Sequence, residues 1–551
     1  MKDFTPWPEE FAITYREKGY WLEKTIGEIM DENFKRYAEH TALIGEDNRI
    51  FSYAELEKLV NRLALHLHSL GLRLYDKVVL QIPNKPEVVI SYLAIIKAGC
   101  IPVMALPAHR QTEIEHFVRF SDARALAIES QIKDFDFQEM ACNIQKESNT
   151  LEFVLVTGAE PIKGYYSIDK LLEDPIEKRI DQEVLPRPNA NFPVVFQLSG
   201  GTTGLPKLIP RTHNDYVHNF LQCAEICNFN EETKVLIAIP QLHNFAIACP
   251  GLKSVLSKGG CEILTKDTRP KAILELIQRY KVTHWQAVPA MILNVLNYPR
   301  ISDYNLDSLK VIISGGAKLN PEVAIRIKET LKCDFQEVLG FAEGPLLFTR
   351  LNDPEEVKIH TQGRPISPGD EFKIVQPDRK EEVKPGEVGE LWVRGPHTIR
   401  GYFRAPEQNA KDFTADGFYK TGDLVSLHQS GNVIYEGRVK DIINRGGENI
   451  SAEEVENHVL AHHMVSECAV VAMPDPIMGE KTCVFVVPKQ DQEISLEDLN
   501  TFLYQERKIA KFKLPERLEI VESLPLTKVG KINKKHLREL ITAQIEKEKM
   551  V

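Results

Sequence analysis

The segment from Leu198 to His213 combines glycine, hydroxyl and lysine residues in the order LSGGTTGLPKLIPRTH. Glycines allow backbone N–H groups to approach an anion closely, and hydroxyls with a lysine add hydrogen-bond donors and positive charge. Leu205 and Pro206 separate the last glycine from the lysine, which excludes a Walker A loop, and the glycine spacing is not GxGxxG. The segment therefore predicts a loop that holds the phosphates of a nucleotide. Its candidate phosphate ligands are Ser199, Gly200, Gly201, Thr202, Thr203, Gly204 and Lys207.

Runs of apolar residues typical of strands alternate with helical patterns along the chain. Lys77–Ile82 predicts a strand and Pro86–Ala98 predicts a helix. Lys310–Ser314 predicts another strand, which runs directly into Gly315 and Gly316. This alternation predicts an α/β fold, in which ligands bind at the carboxyl ends of the strands.

Length, charge and cysteine usage limit the function classes. A chain of 551 residues exceeds what one hydrophobic core supports, so two or more domains are expected, with a boundary near Gly437–Asp441. The net charge of −11 argues against nucleic acid as the main partner. The start MKDFTPWPEE has no apolar signal-peptide core, and no apolar run is long enough to span a membrane. Nine cysteines without a CxxC pair predict reduced thiols in a cytoplasmic protein.

The loop at 199–207 resembles the [ST]-[GS]-G-[ST]-T-G-x-P-K motif of the adenylate-forming superfamily, which includes acyl-CoA synthetases, luciferases and the adenylation domains of peptide synthetases. Four further segments resemble that superfamily in the same order: GFAEG (340–344), YKTGD (419–423), GRVKDIINRGGENIS (437–451) and PLTKVGKINK (525–534). The resemblance implies a large N-terminal multi-layer α/β domain, residues 1–437, and a smaller, mobile α+β C-terminal domain, residues 438–551. It also implies a reaction that joins a carboxylate to the α-phosphate of ATP and releases pyrophosphate.

The same resemblance implies roles for individual residues in binding ATP and Mg²⁺. Glu343 would help to bind Mg²⁺, which offsets phosphate charge. Asp423 would accept hydrogen bonds from both ribose hydroxyls, which suits a carboxylate, and Arg438 would also contact the ribose. Lys531 would reach into the site from the small domain and bridge the carboxylate and the nucleotide, and His243 is implied as a second catalytic residue. The remaining ATP-binding residues implied are Gly316, Leu339, Gly340 and Phe341.

Leu339 departs from the superfamily pattern. An aromatic residue usually precedes the first glycine of this motif and stacks on the adenine, but here that position is leucine, with Phe341 two residues later. Either Phe341 replaces the aromatic residue, or the adenine packs on an aliphatic side chain.

Lys440 lies where the superfamily has its hinge, about which the small domain rotates between adenylation and thioester formation. After that rotation, Gly446 and Gly447 would line a tunnel for a pantetheine thiol, because glycines allow close backbone approach.

The segment QLHNFAIACPG (241–251) predicts which acid is activated. Amino-acid-activating domains carry an aspartate at the matching position to pair with the ammonium, whereas this chain has Asn244. An amide cannot neutralise a buried ammonium, but it can hydrogen-bond a phenolic hydroxyl. This segment, with GFAEG, Trp7–Ala12 and Gly19–Trp21, resembles the stand-alone aryl acid–AMP ligases of siderophore biosynthesis. The implied aryl acid-binding residues are Asn244, Phe245, Cys249, Gly315, Gly316, Gly340 and Leu346.

The resemblance thus implies activation of a 2-hydroxybenzoic acid, followed by transfer to the phosphopantetheine thiol of a separate aryl carrier protein. Relatives that use salicylate tend to carry cysteine and leucine at the positions of Cys249 and Leu346, which favours salicylate over 2,3-dihydroxybenzoate. An aryl- or acyl-CoA ligase that uses free CoA is the alternative enzyme. A binding protein with an inactive site is a third possibility, against which the intact Lys207, Glu343 and Lys531 argue.

Overall fold

The computed structural model describes residues 3–199, 206–377, 381–445, 448–490, 492–507, 509–527 and 531–550. Two compact units divide the chain. The first comprises residues 1–371 and 393–419, and the second comprises residues 372–392 and 420–551. The predicted domain boundary at 437/438, with a hinge near Lys440, stays a prediction.

The strands are numbered here in chain order. They are β1 (Thr41–Ile44), β2 (Ile50–Ser52), β3 (Lys77–Gln81), β4 (Ile101–Met104), β5 (Ala125–Glu129), β6 (Gln131–Ile132), β7 (Phe135–Asp136), β8 (Phe153–Thr157), β9 (Tyr166–Ser167), β10 (Pro193–Leu198), β11 (Leu208–Thr212), β12 (Lys234–Ile237), β13 (Cys261–Leu264), β14 (His284–Ala287), β15 (Val311–Gly315), β16 (Asp334–Gly340), β17 (Leu346–Phe348), β18 (Arg364–Pro365), β19 (Glu371–Val375), β20 (Gly389–Arg394), β21 (Tyr419–Leu427), β22 (Val433–Arg438), β23 (Ile442–Arg445), β24 (Glu448–Ser451), β25 (Val465–Asp475), β26 (Gly479–Pro488) and β27 (Arg517–Ile520).

The α-helices are numbered in the same way. They are α1 (Glu9–Glu17), α2 (Ile26–Arg36), α3 (Tyr53–Leu70), α4 (Pro86–Lys97), α5 (Gln111–Ser121), α6 (Phe137–Glu147), α7 (Ile168–Glu173), α8 (His213–Ile226), α9 (Asn244–Ala248), α10 (Leu252–Leu256), α11 (Pro270–Tyr280), α12 (Pro289–Leu296), α13 (Pro321–Arg326), α14 (Glu355–His360), α15 (Pro406–Asp412), α16 (Ala452–Leu460), α17 (Leu496–Gln505) and α18 (Lys534–Met550).

Two large sheets form the first unit. One has the order β18-β17-β16-β15-β14-β12-β13-β1-β2, and the other has the order β11-β10-β4-β3-β5-β8-β9. The neighbours from β16 through β15, β14, β12 and β13 to β1 run parallel, as do β10-β4-β3-β5-β8-β9. Parallel strands need crossover connections, and these are supplied by the helices between them.

Both faces of each large sheet are buried, as successive residues of a strand show, since they point to opposite faces. In β3, Val78 and Leu80 join the largest core cluster together with α3, α4 and α8, whereas Val79 joins a cluster with α5 and α6. In β12, Val235 likewise joins the largest cluster, whereas Leu236 packs with α11 and α12. Helices therefore lie between the sheets and outside each of them, and the predicted multi-layer α/β fold of the N-terminal part is confirmed.

Helix α8 begins directly after β11. Thr212 caps it with a side-chain oxygen that accepts from the Asp215 N–H, and the Asp215 carboxylate accepts in return from the Thr212 N–H at 2.6 Å. Asp215 also pairs with Arg211 at 2.8 Å, and both side chains are fully buried. This arrangement fixes the rotation of α8, which places the polar residues of its buried face.

The second unit contains a five-stranded sheet, β24-β23-β26-β25 with β27 beside β26, and most of the four-stranded sheet β19-β20-β21-β22. Val470 of β25 packs with α16 and α17 on one face, whereas Val471 packs with Leu537 of α18 on the other. The smaller α+β part of the predicted fold is thus confirmed, while its mobility stays a prediction. No helix in the described part of the chain is long and apolar enough to cross a membrane.

Candidate active site

The base of the predicted phosphate loop is a hairpin of β10 and β11. The Ser199 N–H donates to the Lys207 carbonyl at 3.1 Å, and the Lys207 N–H donates to Ser199 Oγ at 2.9 Å. The Ser199 hydroxyl therefore closes the loop. The other predicted loop residues, Gly200, Gly201, Thr202, Thr203 and Gly204, lie outside the described residues.

Tyr402 joins two predicted nucleotide-site residues. The Lys207 ammonium lies 4.2 Å from the centroid of the Tyr402 ring, and the Tyr402 hydroxyl donates to Glu343 Oε1 at 2.8 Å. Lys207 also pairs with Asp412 at 3.1 Å. Burial raises the pKa of Tyr402 well above its usual range, and the Glu343 carboxylate raises it further, so the hydroxyl stays a donor. The phosphate-loop lysine and the predicted metal ligand are thus brought to one place.

The turn that carries Glu343 requires glycine. Gly344 has φ of +129°, and a Cβ there would lie 1.7 Å from the His397 carbonyl oxygen. The Ile399 N–H donates to the Glu343 carbonyl at 2.8 Å and fixes the turn on the same segment. Glu343 is therefore held by its backbone and its hydroxyl partner together.

Leu339 and Phe341 differ in accessibility. Phe341 is buried, with its ring edge-on to Tyr419 at a centroid distance of 6.4 Å. Leu339, opposite Leu347 in the β16–β17 hairpin, is only partly buried. The aliphatic side chain is therefore the more accessible of the two.

Asn244 is the first residue of the short helix α9, with His243 at its N-cap. His243 Nδ1 accepts from the Phe245 N–H at 3.2 Å, which orients its ring. Asn244 Oδ1 accepts from the Tyr216 hydroxyl at 2.6 Å, and its Nδ2 donates to Cys249 Sγ at 3.4 Å. The predicted hydroxyl-recognising amide is thus held by two side-chain partners.

The Phe245 ring forms a wall in close contact with Gly315. A Cβ on Gly315 would lie 2.9 Å from Phe245 Cζ, and the Phe245 carbonyl accepts from Gln286 Nε2 at 2.8 Å. Gly316 follows with φ of +86°. The carboxyl end of β15 therefore meets α9 at a close approach.

The β16–β17 hairpin contributes the remaining predicted aryl-site residues. Gly340 pairs with Leu346, and a Cβ on Gly340 would lie 2.7 Å from Leu346 Cδ2. Leu346 belongs to the same buried cluster as Phe245 and Cys249. The structure thus brings together α9, the end of β15 and this hairpin.

Tyr216 and Asn219 of α8 were not found from the sequence. Both are buried, and they lie three residues apart on one helix face together with Cys223. The signal that could have found them is the set of polar residues on the buried face of α8, since buried polar groups require partners. Tyr402 and Asp412 had no such signal, because their partners are distant in sequence.

Asp423 and Arg438 form an ion pair in the second unit. Asp423 Oδ1 lies 2.6 Å from Arg438 Nε, across the β21–β22 pairing that places the two residues opposite each other. Asp423 is 2% exposed. Burial raises the pKa of Asp423, whereas Arg438 and Lys531 oppose that rise. The two predicted ribose ligands are therefore adjacent.

Lys531 lies within electrostatic reach of the same pair. Lys531 is an exposed residue. Desolvation of its ammonium group nevertheless lowers its pKa. The Arg438 charge lowers the pKa further, and the Asp423 carboxylate opposes this shift. Its backbone closes a short loop, because the Thr527 N–H donates to the Lys531 carbonyl at 2.6 Å. The predicted catalytic lysine therefore lies with the predicted ribose ligands in one electrostatic cluster.

Lys440 lies in the single 3₁₀ turn Val439–Asp441 directly after β22. Desolvation lowers the pKa of Lys440, and Arg438 lowers it further. Asp441 pairs with Arg538 of α18 at 2.8 Å. The predicted tunnel glycines Gly446 and Gly447 lie outside the described residues.

Comparison with known proteins identifies relatives over nearly the whole chain. The family model of the AMP-binding enzyme matches residues 30–403, and that of the AMP-binding enzyme C-terminal domain matches residues 454–531. The chain is 42% identical over 545 residues to a 2,3-dihydroxybenzoate-AMP ligase of Bacillus subtilis, with 99% of each chain covered. It is 38% identical over 537 residues to a salicyl-AMP ligase / salicyl-S-ArCP synthetase of Mycobacterium tuberculosis, covering 97% of this chain and 93% of that protein. A solved anthranilate CoA ligase in complex with anthranoyl-AMP has a TM-score of 0.85 at 25% identity, covering 94% of this chain and 98% of the other.

Proposed function

This chain belongs to the AMP-binding enzyme family, and from that premise we propose that it is an aryl acid–AMP ligase. The enzyme converts a 2-hydroxybenzoic acid and ATP to the aryl adenylate and pyrophosphate. It then transfers the aryl group to the phosphopantetheine thiol of a separate aryl carrier protein in siderophore biosynthesis. The named relatives that activate salicylate or 2,3-dihydroxybenzoate support this proposal.

The observation that carries the proposed substrate class is the environment of Asn244. Asn244 is 7% exposed, and its two side-chain partners are the Tyr216 hydroxyl and the Cys249 thiol, neither of which is a carboxylate. An ammonium group placed here would lack a counter-ion, which is very costly in a buried site. A phenolic oxygen, in contrast, accepts from an amide N–H without any charge. The site therefore favours a hydroxyaryl acid over an amino acid.

The nucleotide is proposed to lie beside Lys207 and Glu343. Lys207 supplies positive charge to the β- and γ-phosphates once it leaves Asp412. Glu343 is proposed as a ligand of Mg²⁺, which suits a carboxylate and would neutralise phosphate charge. Among the described residues no group of three or more His, Cys, Asp or Glu side chains is arranged to hold a metal. Mg²⁺ is usually bound by one or two carboxylates together with substrate phosphates.

The adenine is proposed to pack on Leu339. The accessibility of this side chain and the burial of Phe341 against Tyr419 favour the aliphatic contact. Asp423 and Arg438 are proposed to bind the ribose, and Lys531 to bridge the reacting carboxylate and the nucleotide where charge builds during adenylation. His243 is proposed to act beside the acid's carboxylate.

Transfer to the thiol is proposed to require rotation of the C-terminal part about Lys440, after which Gly446 and Gly447 line the pantetheine path. The free-CoA ligase remains the second candidate, since a solved CoA ligase shares the fold at a TM-score of 0.85. We place the reaction in the cytoplasm, where ATP is available and where the nine cysteines, all free thiols, stay reduced.

Aryl-acid-dependent ATP–pyrophosphate exchange tests the adenylation step. Salicylate and 2,3-dihydroxybenzoate should support exchange, and benzoate should support it about 5- to 150-fold less well, because the Asn244 amide is left unpaired. Exchange driven by amino acids, or by no acid in the panel, would overturn the proposal. Adding a phosphopantetheinylated aryl carrier protein or free CoA then separates the two ligase candidates.

Cys249 and Leu346 support salicylate as the preferred acid. The Cys249 thiol donates to Asn219 Oδ1 at 3.1 Å, so its proton is engaged, and Leu346 fills space that a 3-hydroxyl needs. Cys249→Ser/Leu346→Val should shift the ratio of kcat/KM toward 2,3-dihydroxybenzoate by about 5- to 150-fold, the usual effect of such pocket changes. A wild type that prefers 2,3-dihydroxybenzoate tenfold, unchanged in the double variant, would refute this preference and leave the enzyme class intact.

A further inference from the structure

A continuous chain of hydrogen bonds runs through the wall that carries Asn244. It links side chains of β10, α8, the α9 segment and the two loop positions 397 and 370, all in the first unit. In order of donation the chain is Gln197 Nε2 to Tyr216 Oη at 3.1 Å, Tyr216 Oη to Asn244 Oδ1 at 2.6 Å, Asn244 Nδ2 to Cys249 Sγ at 3.4 Å, Cys249 Sγ to Asn219 Oδ1 at 3.1 Å, Asn219 Nδ2 to His397 Nδ1 at 2.9 Å and His397 Nε2 to Asp370 Oδ2 at 3.0 Å.

The far end of this chain fixes its direction. An ionised carboxylate can only accept, so Asp370 takes the proton on His397 Nε2 and leaves Nδ1 as the acceptor. Asn219 Nδ2 also faces the Gly344 carbonyl at 3.4 Å, which likewise can only accept. The amide group of Asn219 therefore presents its NH₂ to these two acceptors and its oxygen to Cys249.

The near end fixes Asn244 itself. Gln197 donates to the Tyr216 hydroxyl, so that hydroxyl uses its own proton on Asn244 Oδ1. Two buried basic side chains pack against the Tyr216 ring, with Lys253 Nζ at 3.0 Å and the Arg211 guanidinium carbon at 4.5 Å from the ring centroid. Asn244 thus cannot exchange its oxygen and nitrogen without breaking two hydrogen bonds. Within the described residues Asn244 Nδ2 donates one hydrogen bond, to Cys249, and under the proposed function its second N–H is the donor that meets the acid.

A fixed donor distinguishes two acids of nearly the same shape. In salicylate the 2-hydroxyl proton bonds the neighbouring carboxylate, which leaves an oxygen lone pair facing outward as an acceptor. In 2-aminobenzoate one N–H bonds the carboxylate and the other N–H faces outward as a donor. A donating Asn244 pairs with the first acid and faces the second donor to donor. The discrimination therefore depends on which way the amide is turned.

We propose that the chain from Gln197 to Asp370 makes Tyr216 and Asn219 specificity-determining positioning residues, which hold Asn244 as a donor and select a 2-hydroxy over a 2-amino benzoic acid. This inference rests on the proposed function, because it assumes that an aryl acid binds beside Asn244.

Tyr216→Phe is the direct test, since it removes the hydroxyl and leaves the ring. Without that donor the Asn244 amide can turn its oxygen outward, where it accepts from an amino group. The ratio of kcat/KM for salicylate over 2-aminobenzoate, measured by pyrophosphate exchange, should fall about tenfold, the usual effect of one buried hydrogen bond. The KM for ATP should stay the same. Tyr53→Phe is the matched control. Tyr53 is also fully buried, but its hydroxyl donates to the Gly260 carbonyl at 2.7 Å and takes no part in the hydrogen bonds from Gln197 to Asp370.

A purely structural role for Tyr216 would lower activity with both acids alike and leave their ratio unchanged, which would overturn the proposal. Asp370→Asn provides a second variant if Tyr216→Phe does not fold. An amide can donate as well as accept, so this change releases the direction of the chain from its far end and should lower the same ratio. A wild type that exchanges pyrophosphate with no aryl acid would refute the proposed function instead. A wild type that uses salicylate and 2-aminobenzoate equally would refute only the positioning role.

Discussion

Gly315→Ala places a methyl group against the wall of the aryl site. The new Cβ would lie 2.9 Å from Phe245 Cζ and 3.2 Å from both Cε atoms, whereas carbon atoms at optimal contact are about 3.5–4.0 Å apart. The ring must therefore retreat by about 0.5–1 Å. Gly315 does not have a positive φ, so the substitution introduces no backbone strain. Its effect is overpacking, which costs about 1–3 kcal/mol.

The Phe245 backbone is held by the hydrogen bond from Gln286 to its carbonyl, so the ring moves rather than the main chain. We therefore expect the displaced ring to reduce the space for the aryl acid. Binding of the acid must push the displaced ring back against the new methyl group at a similar cost of about 1–3 kcal/mol, so kcat/KM for salicylate falls about 5- to 150-fold, since about 1.4 kcal/mol corresponds to a factor of ten. Pyrophosphate exchange at varied salicylate, with ATP saturating, measures the loss. The KM for ATP should remain near the wild-type value.

Two further variants test whether the contact between position 315 and Phe245 causes the loss. Gly27→Ala is the matched control, because the nearest atom to its Cβ would be 3.9 Å away. Gly315→Ala/Phe245→Leu should recover part of the lost stability, measured as the thermal midpoint, because the shorter side chain removes the clash. Unchanged salicylate kinetics in Gly315→Ala, or no recovery in the double variant, would refute the proposed wall.

The remaining predictions concern the second unit and its movement. Lys531→Ala should lower pyrophosphate exchange about 10²- to 10³-fold, as expected for the loss of an aimed charge, yet leave transfer from supplied aryl adenylate to the carrier largely intact. Lys535→Ala, at a neighbouring exposed lysine, is the control, and equal loss of both half-reactions in Lys531→Ala would exclude the assigned role. Because desolvation lowers the pKa of Lys531, adenylation should fall with rising pH earlier than an ordinary lysine would titrate. Lys531→Arg should move that alkaline fall to higher pH, and an identical pH profile would exclude the lysine as its cause. Lys440→Pro should retain part of the adenylation activity and abolish carrier loading, because proline fixes φ near −65° and restricts rotation; wild-type loading would exclude residue 440 as the pivot.

The sequence alone determined the family, the α/β class and most of the chemistry. Close approach of backbone to an anion requires glycines and nearby cations at short spacing, so a local run such as 198–213 predicts a phosphate loop without any tertiary information. The hydrophobic periods of strands and helices are likewise set by residues that are close in sequence. The predicted strand Lys77–Ile82 is observed as Lys77–Gln81, and the predicted helix Pro86–Ala98 is observed as Pro86–Lys97. The interpretation of Asn244 also needed only the local sequence, because an amide at this position carries no charge that could pair with an ammonium group.

Only the tertiary structure decided which groups complete these motifs. Tyr402 reaches Lys207 and Glu343 from a distant segment, and its role depends on one buried hydroxyl that no local pattern marks. The direction of the Asn244 amide depends on partners as far away in sequence as Asp370. The direction of each hydrogen bond depends on the whole series of buried donors and acceptors. Once the groups at its ends are fixed, each group between them can bond both of its neighbours in only one orientation. A sequence names the donors and acceptors, but folding determines which of them meet and therefore which way each one points.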